Sequence, residues 1–165
     1  MLIVFSGLPG SGKTTIARAL ASQLGATYLR IDAIEQTLRD AGMTEVGTLG
    51  YDVANALARS NLALGNRVVA DCVNPVAESR QAWRDSAESQ RVAWLDVEVV
   101  CADVAEHRRR VESRELDVPG LCPPSWQSVL DHEYQAWSGE RLQLDSAALS
   151  PEDAVGVIVR HLERL

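Results

Sequence analysis

The chain of 165 residues carries one lysine, one phenylalanine and no pair of cysteines at C-x-x-C spacing. It also lacks any apolar run of the ~20 residues that a membrane-spanning helix needs. Met1-Leu2-Ile3 enters a strand-like run at once, which leaves no room for a signal peptide, so a cytoplasmic location is expected. Cys72, Cys101 and Cys122 are odd in number and far apart. They read as reduced core or loop thiols rather than disulfides or zinc ligands. A net charge of −7 argues against a long polyanionic partner, because phosphate contacts dominate nucleic-acid affinity. No repeat or linker interrupts the chain, and 46% hydrophobic with 24% charged residues is the balance of a soluble globular protein. One domain over residues 1–165, able to bury a sizeable core, is expected.

What the chain does contain begins with its one lysine. Leu2-Ile3-Val4-Phe5-Ser6-Gly7-Leu8-Pro9-Gly10-Ser11-Gly12-Lys13-Thr14-Thr15 is an apolar run followed by G-x-x-x-x-G-K-T. The other 15 basic side chains are arginine, so a lysine kept only at Lys13 points to a compact ammonium on a flexible stem. Residues 2–5 supply the strand that a phosphate-binding loop follows, and residues 14–24 supply the helix. Ile16, Leu20 and Leu24 share one face of that helix, and Gly25 can end it. The glycine spacing G-x-x-G-x-G does not fit the dinucleotide fingerprint G-x-G-x-x-G. In such a loop the amides of Gly10, Ser11, Gly12, Thr14 and Thr15 form a nest for phosphate oxygens beside the positive helix end. Lys13 can reach the β- and γ-phosphates of ATP, and the Thr14 hydroxyl can complete a Mg²⁺ shell.

Strand-like runs alternate with helical patterns along the rest of the chain. Strands are expected at residues 27–31, 68–73, 92–100 and 141–145, and helices at 33–39, 52–64, 75–90, 103–114 and 125–137. Ser150-Pro151-Glu152-Asp153 combines an N-cap residue, a first-turn proline and acidic residues. It opens a last helix with Ala154, Val157, Ile158 and Leu162 as its buried stripe. The class is α/β, a single-domain P-loop nucleoside-triphosphate hydrolase fold with a five-stranded, mainly parallel sheet covered on both faces. Ligands of such sheets gather at the carboxyl ends of the strands, here near Lys13, Asp32, Asp71–Asn74 and Cys101–Asp103.

These residues resemble the small P-loop kinases that include polynucleotide 5′-kinase domains, zeta-type toxins, adenylylsulfate kinases and chloramphenicol phosphotransferase. Arg30-Ile31-Asp32 resembles the strand-end aspartate that acts there as general base toward the acceptor hydroxyl. Val68-Val69-Ala70-Asp71-Cys72-Val73-Asn74-Pro75 resembles the strand-Asp-x-x-Asn segment beside acceptor and metal. The run from His107 to Arg114, with its loop, resembles an arginine-bearing lid over ATP (about residues 108–124), and residues 144–152 resemble the loop bordering the adenine. The resemblance implies Lys13, Asp32, Arg110 and Arg114 as catalytic, Thr14 and Asp71 at the metal, and Asp32, Asp71, Asn74 and the position of Glu35 toward the acceptor. Tyr51 and Asp52, near the loop before the third helix, are further candidate acceptor contacts by position alone.

Each assignment has a plain structural competitor. Asp32 can cap the following helix, Asp71 and Asn74 can be turn residues before Pro75, and the arginine run can be a solvated face paired with Glu106 and Glu112. Trp126 reads as a packing residue, and His107, His132 and His161 as helix-surface residues. Glu35 departs from the family pattern, standing where polynucleotide kinases hold the acceptor's phosphate with an arginine. Its charge favours a neutral or amine-bearing acceptor. The expected activity is transfer of the ATP γ-phosphate, with Mg²⁺, to a hydroxyl of a small molecule. A kinase for a nucleic-acid 5′-hydroxyl or a sugar nucleotide, toxins included, is the alternative, and a nucleotide-gated regulatory module is a third. The loops at 33–64 and 115–124 select the acceptor, and neither the acceptor nor an oligomeric state is encoded in a motif.

Overall fold

Alternation along strand β1 (Leu2–Ser6) sorts the core into two layers. Successive strand side chains point to opposite faces, so Ile3 and Phe5 face one layer and Leu2 and Val4 the other. The first layer is closed by α1 (Lys13–Leu24) and α7 (Pro151–Leu162), whose Ile16, Leu20, Ala154 and Ile158 meet Phe5. The second is closed by α3 (Leu49–Ala63) and α4 (Ala77–Ser89), with Ala54, Ala58 and the fully buried Trp83. The computed structural model describes residues 1–113 and 117–164.

The sheet joins β1 to β2 (Thr27–Arg30), β3 (Val68–Asp71), β4 (Trp94–Val100) and β5 (Leu142–Asp145) in the order β2-β3-β1-β4-β5. Each of the four pairings is parallel, as the expected crossovers require. The remaining helices are α2 (Ile31–Asp40), α5 (Val104–Glu112) and α6 (Trp126–Leu130). Gly25 ends α1 in the left-handed region at φ 58°. Ser150 caps α7 by accepting from the Asp153 amide at 3.1 Å, ahead of Pro151. Val157 and Leu162 lie at the margin of the α7 stripe, and Val155 is buried within it. Among the described residues no helix is long and apolar enough to cross a membrane.

Two helix expectations need correction. The helix expected over 125–137 stops at Leu130, because buried Arg80 claims the backbone that would continue it. Arg80 donates to the carbonyls of Gln135 (2.7 Å) and Ala136 (3.4 Å), and the Gln135 amide donates to the Pro75 carbonyl. The same guanidinium bonds the Asn74 and Pro75 carbonyls and lies over the rings of Tyr134 and Trp137. For the same reason α4 begins at Ala77 rather than Pro75. β4 is buried from Leu95 to Val99 but is not wholly apolar. Asp96 is paired with Arg84, and Glu98 with Arg141, inside the sheet face.

Arg80→Ala is expected to lower the unfolding free energy by about 3 kcal/mol, since several charged hydrogen bonds go and buried carbonyls lose their donors. Urea denaturation checks this, and Arg80→Lys, with one nitrogen in place of a fork, should recover only part of the loss.

Candidate active site

The phosphate loop is shaped by what its glycines omit. A Cβ on Gly10 (φ 80°) would lie 2.4 Å from Val111 Cγ2, so α5 sits directly against the loop backbone. Gly12 (φ 87°) occupies the N-cap of α1 in a left-handed conformation that L side chains rarely adopt. Lys13 is the first residue of α1; its buried side chain leaves Nζ 3.5 Å from the Leu8 carbonyl. Ser11 Oγ is buried and has no hydrogen-bond partner among the described residues. The loop and the first turn of α1 line a cavity of ≈ 520 Å³, together with Arg18, Arg110 and Asp117.

Helix α5 is fastened to this loop by a histidine expected on its surface. His107 is buried, and because the Pro9 carbonyl can only accept, its Nε2 must carry the proton of their 2.8 Å bond. Trp126 packs edge-on against the imidazole, with ring centroids 5.2 Å apart. One helical turn's geometry then divides the arginines. Arg110 lines the cavity, donating to Ser146 Oγ at 2.8 Å and to the Ser146 carbonyl at 3.1 Å. Its Nη1 lies 3.5 Å from where a Gly12 Cβ would stand. Arg109 pairs with Glu106 and Arg108 with Glu112 on the solvated side. The Glu106 carboxyl, hydrogen-bonded by Arg109 and then Arg110, is held down at about 2. Arg114 lies outside the described residues.

On the other side of the loop, Asp32 falls in the first turn of α2, and Arg30 occupies the N-cap position. The capping role is therefore not what holds this carboxylate, which is one-third exposed and lies 3.6 Å from Arg30 Nη2. Asp71 ends β3 beside Phe5 and Arg30 and is buried, its Oδ2 accepting from the Tyr28 hydroxyl at 2.7 Å. Burial, and then the Asp71 charge, push the Tyr28 phenol above its ordinary range. Among the described residues no cluster of three or more His, Cys, Asp or Glu could hold a metal. The donors present nevertheless suit Mg²⁺, which binds through one or two protein oxygens and completes its shell with phosphate and water. Thr14 and Asp71 are the side chains that would supply them.

The remaining expected acceptor residues are engaged with the protein. Asn74 is fully buried at φ 54°, its amide nitrogen donating to Ser6 Oγ at 3.0 Å and its backbone N–H to the Tyr51 hydroxyl at 2.9 Å. Tyr51 is thus wired to Asn74, and burial raises its pKa above the ordinary range. Glu35 pairs with Arg39 at 3.1 Å and packs against Gly50 at the start of α3. Asp52 is exposed and bonded to Thr48.

Sequence reasoning missed Arg18, Arg30, Asp117 and Ser146. Asp117 Oδ2 takes a 2.6 Å bond from Arg18, and both its oxygens take bonds from Arg30 Nη1 at 2.8 and 2.9 Å. The available signal was an arginine closing the strand two residues before Asp32. Hydrogen bonding from Arg30 is the main force holding the Asp117 carboxyl below its ordinary 3.8. The bridge is accordingly intact at neutral pH and is lost as the pH falls through that lowered value. Side-chain carboxyl NMR should place the Asp117 titration below 3.8 in the native chain and move it upward in Arg30→Met.

Known proteins resemble the chain in sequence and in fold. The chain is 26% identical to a probable adenylyl-sulfate kinase of Pseudomonas aeruginosa, over 94% of its own length and 74% of that protein's. It is 29% identical to a shikimate kinase of Synechococcus elongatus, over 56% of the chain and about half (50%) of the relative. The solved APS kinase of Mycobacterium tuberculosis, in complex with AMPPNP and APS, superposes with a TM-score of 0.74 at 19% identity. That match covers 98% of this chain and 96% of the other, and shows a common fold. The sequence model of the AAA_33 family, an AAA domain, matches residues 2–120, and the chain belongs to this family of P-loop kinases.

Proposed function

We propose that the protein is an ATP- and Mg²⁺-dependent kinase that moves the γ-phosphate to a hydroxyl of a small molecule. The observation that carries the reading is the cavity at the phosphate loop, with Lys13 and Arg110 facing it from two helices. The adenylyl-sulfate and shikimate kinase relatives support a small acceptor.

The loop amides and Lys13 hold the β- and γ-phosphates, and Arg110 neutralises charge that develops on the transferring group. Arg110 is already oriented by Ser146 and Glu106, so little side-chain freedom remains to be lost in the transition state. Asp32 accepts the acceptor's hydroxyl proton while that oxygen bonds to the γ-phosphorus and the bond to the ADP oxygen breaks. Asp71, held by Tyr28, and Thr14 would hold the metal, whose charge would offset that of the phosphates. Gly10 and His107 keep α5 close, so that the loop and Arg110 act on the same phosphates.

Labelled-ATP transfer over a panel of hydroxyl compounds, antibiotics, nucleosides and oligonucleotides tests the reading. Lys13→Ala should reduce transfer by about 10³-fold or more with the circular dichroism unchanged. Asp32→Asn should reduce it by about 10²–10⁴-fold at unaltered ATP affinity. Undiminished transfer by Lys13→Ala, or slow free-phosphate release with every acceptor, overturns it.

A further inference from the structure

Arg30 has more donors than partners. Its side chain is only 7% exposed, yet among the described residues its Nε and Nη2 have no hydrogen-bond partner. Among the described residues only Nη1 is engaged, by Asp117. Asp32 Oδ2 lies 3.6 Å from Nη2, beyond hydrogen-bond reach. Idle donors on a buried guanidinium are unfavourable by about 1–3 kcal/mol each. The structural arginines of this chain use more of the guanidinium: Arg80 bonds four carbonyls through all three nitrogens, and Arg84 sets two nitrogens on Asp96.

The one carboxylate that Arg30 does bond comes from a loop. Asp117 is 44% exposed, is shared with the exposed Arg18, and belongs to the stretch that returns over α2 at Gly120. A Cβ on Gly120 would lie 2.8 Å from Gln36 Nε2, so this loop lies against α2. Asp117 also lines the phosphate-loop cavity. It offers two oxygens to two arginines at the margin of a ligand-sized space, which is the pattern a bound oxyanion would present.

We propose that Arg30, assisted by Arg18, anchors an anionic group carried by the phosphate acceptor, and that Asp117 is an internal surrogate which that group displaces. The inference rests on the kinase reading for the word acceptor. The oxyanion is a carboxylate, sulfate or phosphate, all of which match a guanidinium fork. Arg30 and Asp32 are two residues apart with their charged groups 3.6 Å from one another, so anion and reactive hydroxyl belong to one small molecule. This reverses the expectation drawn from Glu35. That carboxylate is paired with Arg39 and packed on Gly50, and the cation facing the acceptor is Arg30. Exchange of Asp117 for a ligand anion leaves the local charge balance nearly unchanged and supplies oxygens to Nε and Nη2 as well.

The test separates the anion site from the transfer reaction. With the phosphate loop filled by Mg·ADP, sodium sulfate is titrated calorimetrically into the native chain, Asp117→Asn, Arg30→Gln and the double variant. Asp117→Asn should bind sulfate about tenfold more tightly, the factor for a surrogate bound roughly nine-tenths of the time. Arg30→Gln should abolish binding in both backgrounds. In the transfer assay, gluconate and shikimate are compared with their uncharged amides, and Arg30→Gln should raise the KM of the acids without moving the KM of ATP. Sulfate affinity unchanged by Asp117→Asn overturns the proposal even if Arg30→Gln fails to fold, and so does an amide that serves as well as its acid. Loss of all transfer with the sulfate results as expected would instead remove the kinase reading and leave the anion site standing.

Discussion

No side chain fits at Gly10, and that close approach of backbone to α5 is what makes a site out of a loop and a helix. With Val111 against the loop and His107 bonded to Pro9, α5 is fixed at two points one turn apart. Arg110, between them in sequence, is thereby aimed at the loop, whereas Arg108 and Arg109 turn toward solvent and their glutamates. The proton on His107 Nε2 is part of this fastening, because a carbonyl is its partner. Ser146 then meets both Arg110 and Gly12, which ties the loop after β5 to the same point.

Much of the fold was legible because its causes are local. Two-residue alternation on β1, four-residue spacing on α1 and the Ser150-Pro151 cap each act within a few residues of themselves. What sequence reading missed was set by partners far along the chain. The end of α6 depends on Arg80 bonding a carbonyl 55 residues away. The burial of His107 depends on Pro9 at a separation of 98, and the role of Asp117 on Arg30 at 87. Of the expected site residues, Lys13, Thr14 and Arg110 meet at one cavity because the loop motif and the helix repeat place them. That Asn74 is buried and bonded to Tyr51 was not legible, because a turn signal does not reveal that the turn is buried.

The distribution of cations follows from their geometry. Arginine, a planar fork, is used wherever several fixed acceptors must be bridged: four carbonyls at Arg80, a buried carboxylate at Arg84, Ser146 and Glu106 at Arg110. Lysine occurs once, where the acceptors would arrive with the ligand and where, among the described residues, only a long contact to Leu8 occupies its ammonium. A flexible stem suits that position, since it can follow phosphate oxygens that no protein group fixes in advance.

Unsatisfied polar atoms mark where the protein is incomplete by itself. Six buried side-chain nitrogens and oxygens lack partners among the described residues, and four of them belong to Ser11, Arg30 and Asn74. All three residues lie at the carboxyl edge of the sheet, beside the loop or the ends of β2 and β3. Stability alone would have removed such atoms or paired them, because each costs about 1–3 kcal/mol. Their concentration at one edge is the arrangement expected where ligand oxygens and nitrogens complete the hydrogen bonding. Asn74 Oδ1 and the idle donors of Arg30 differ in one respect. Arg30 carries charge and its engaged nitrogen bonds a loop carboxylate, so an anion is the partner that its chemistry favours.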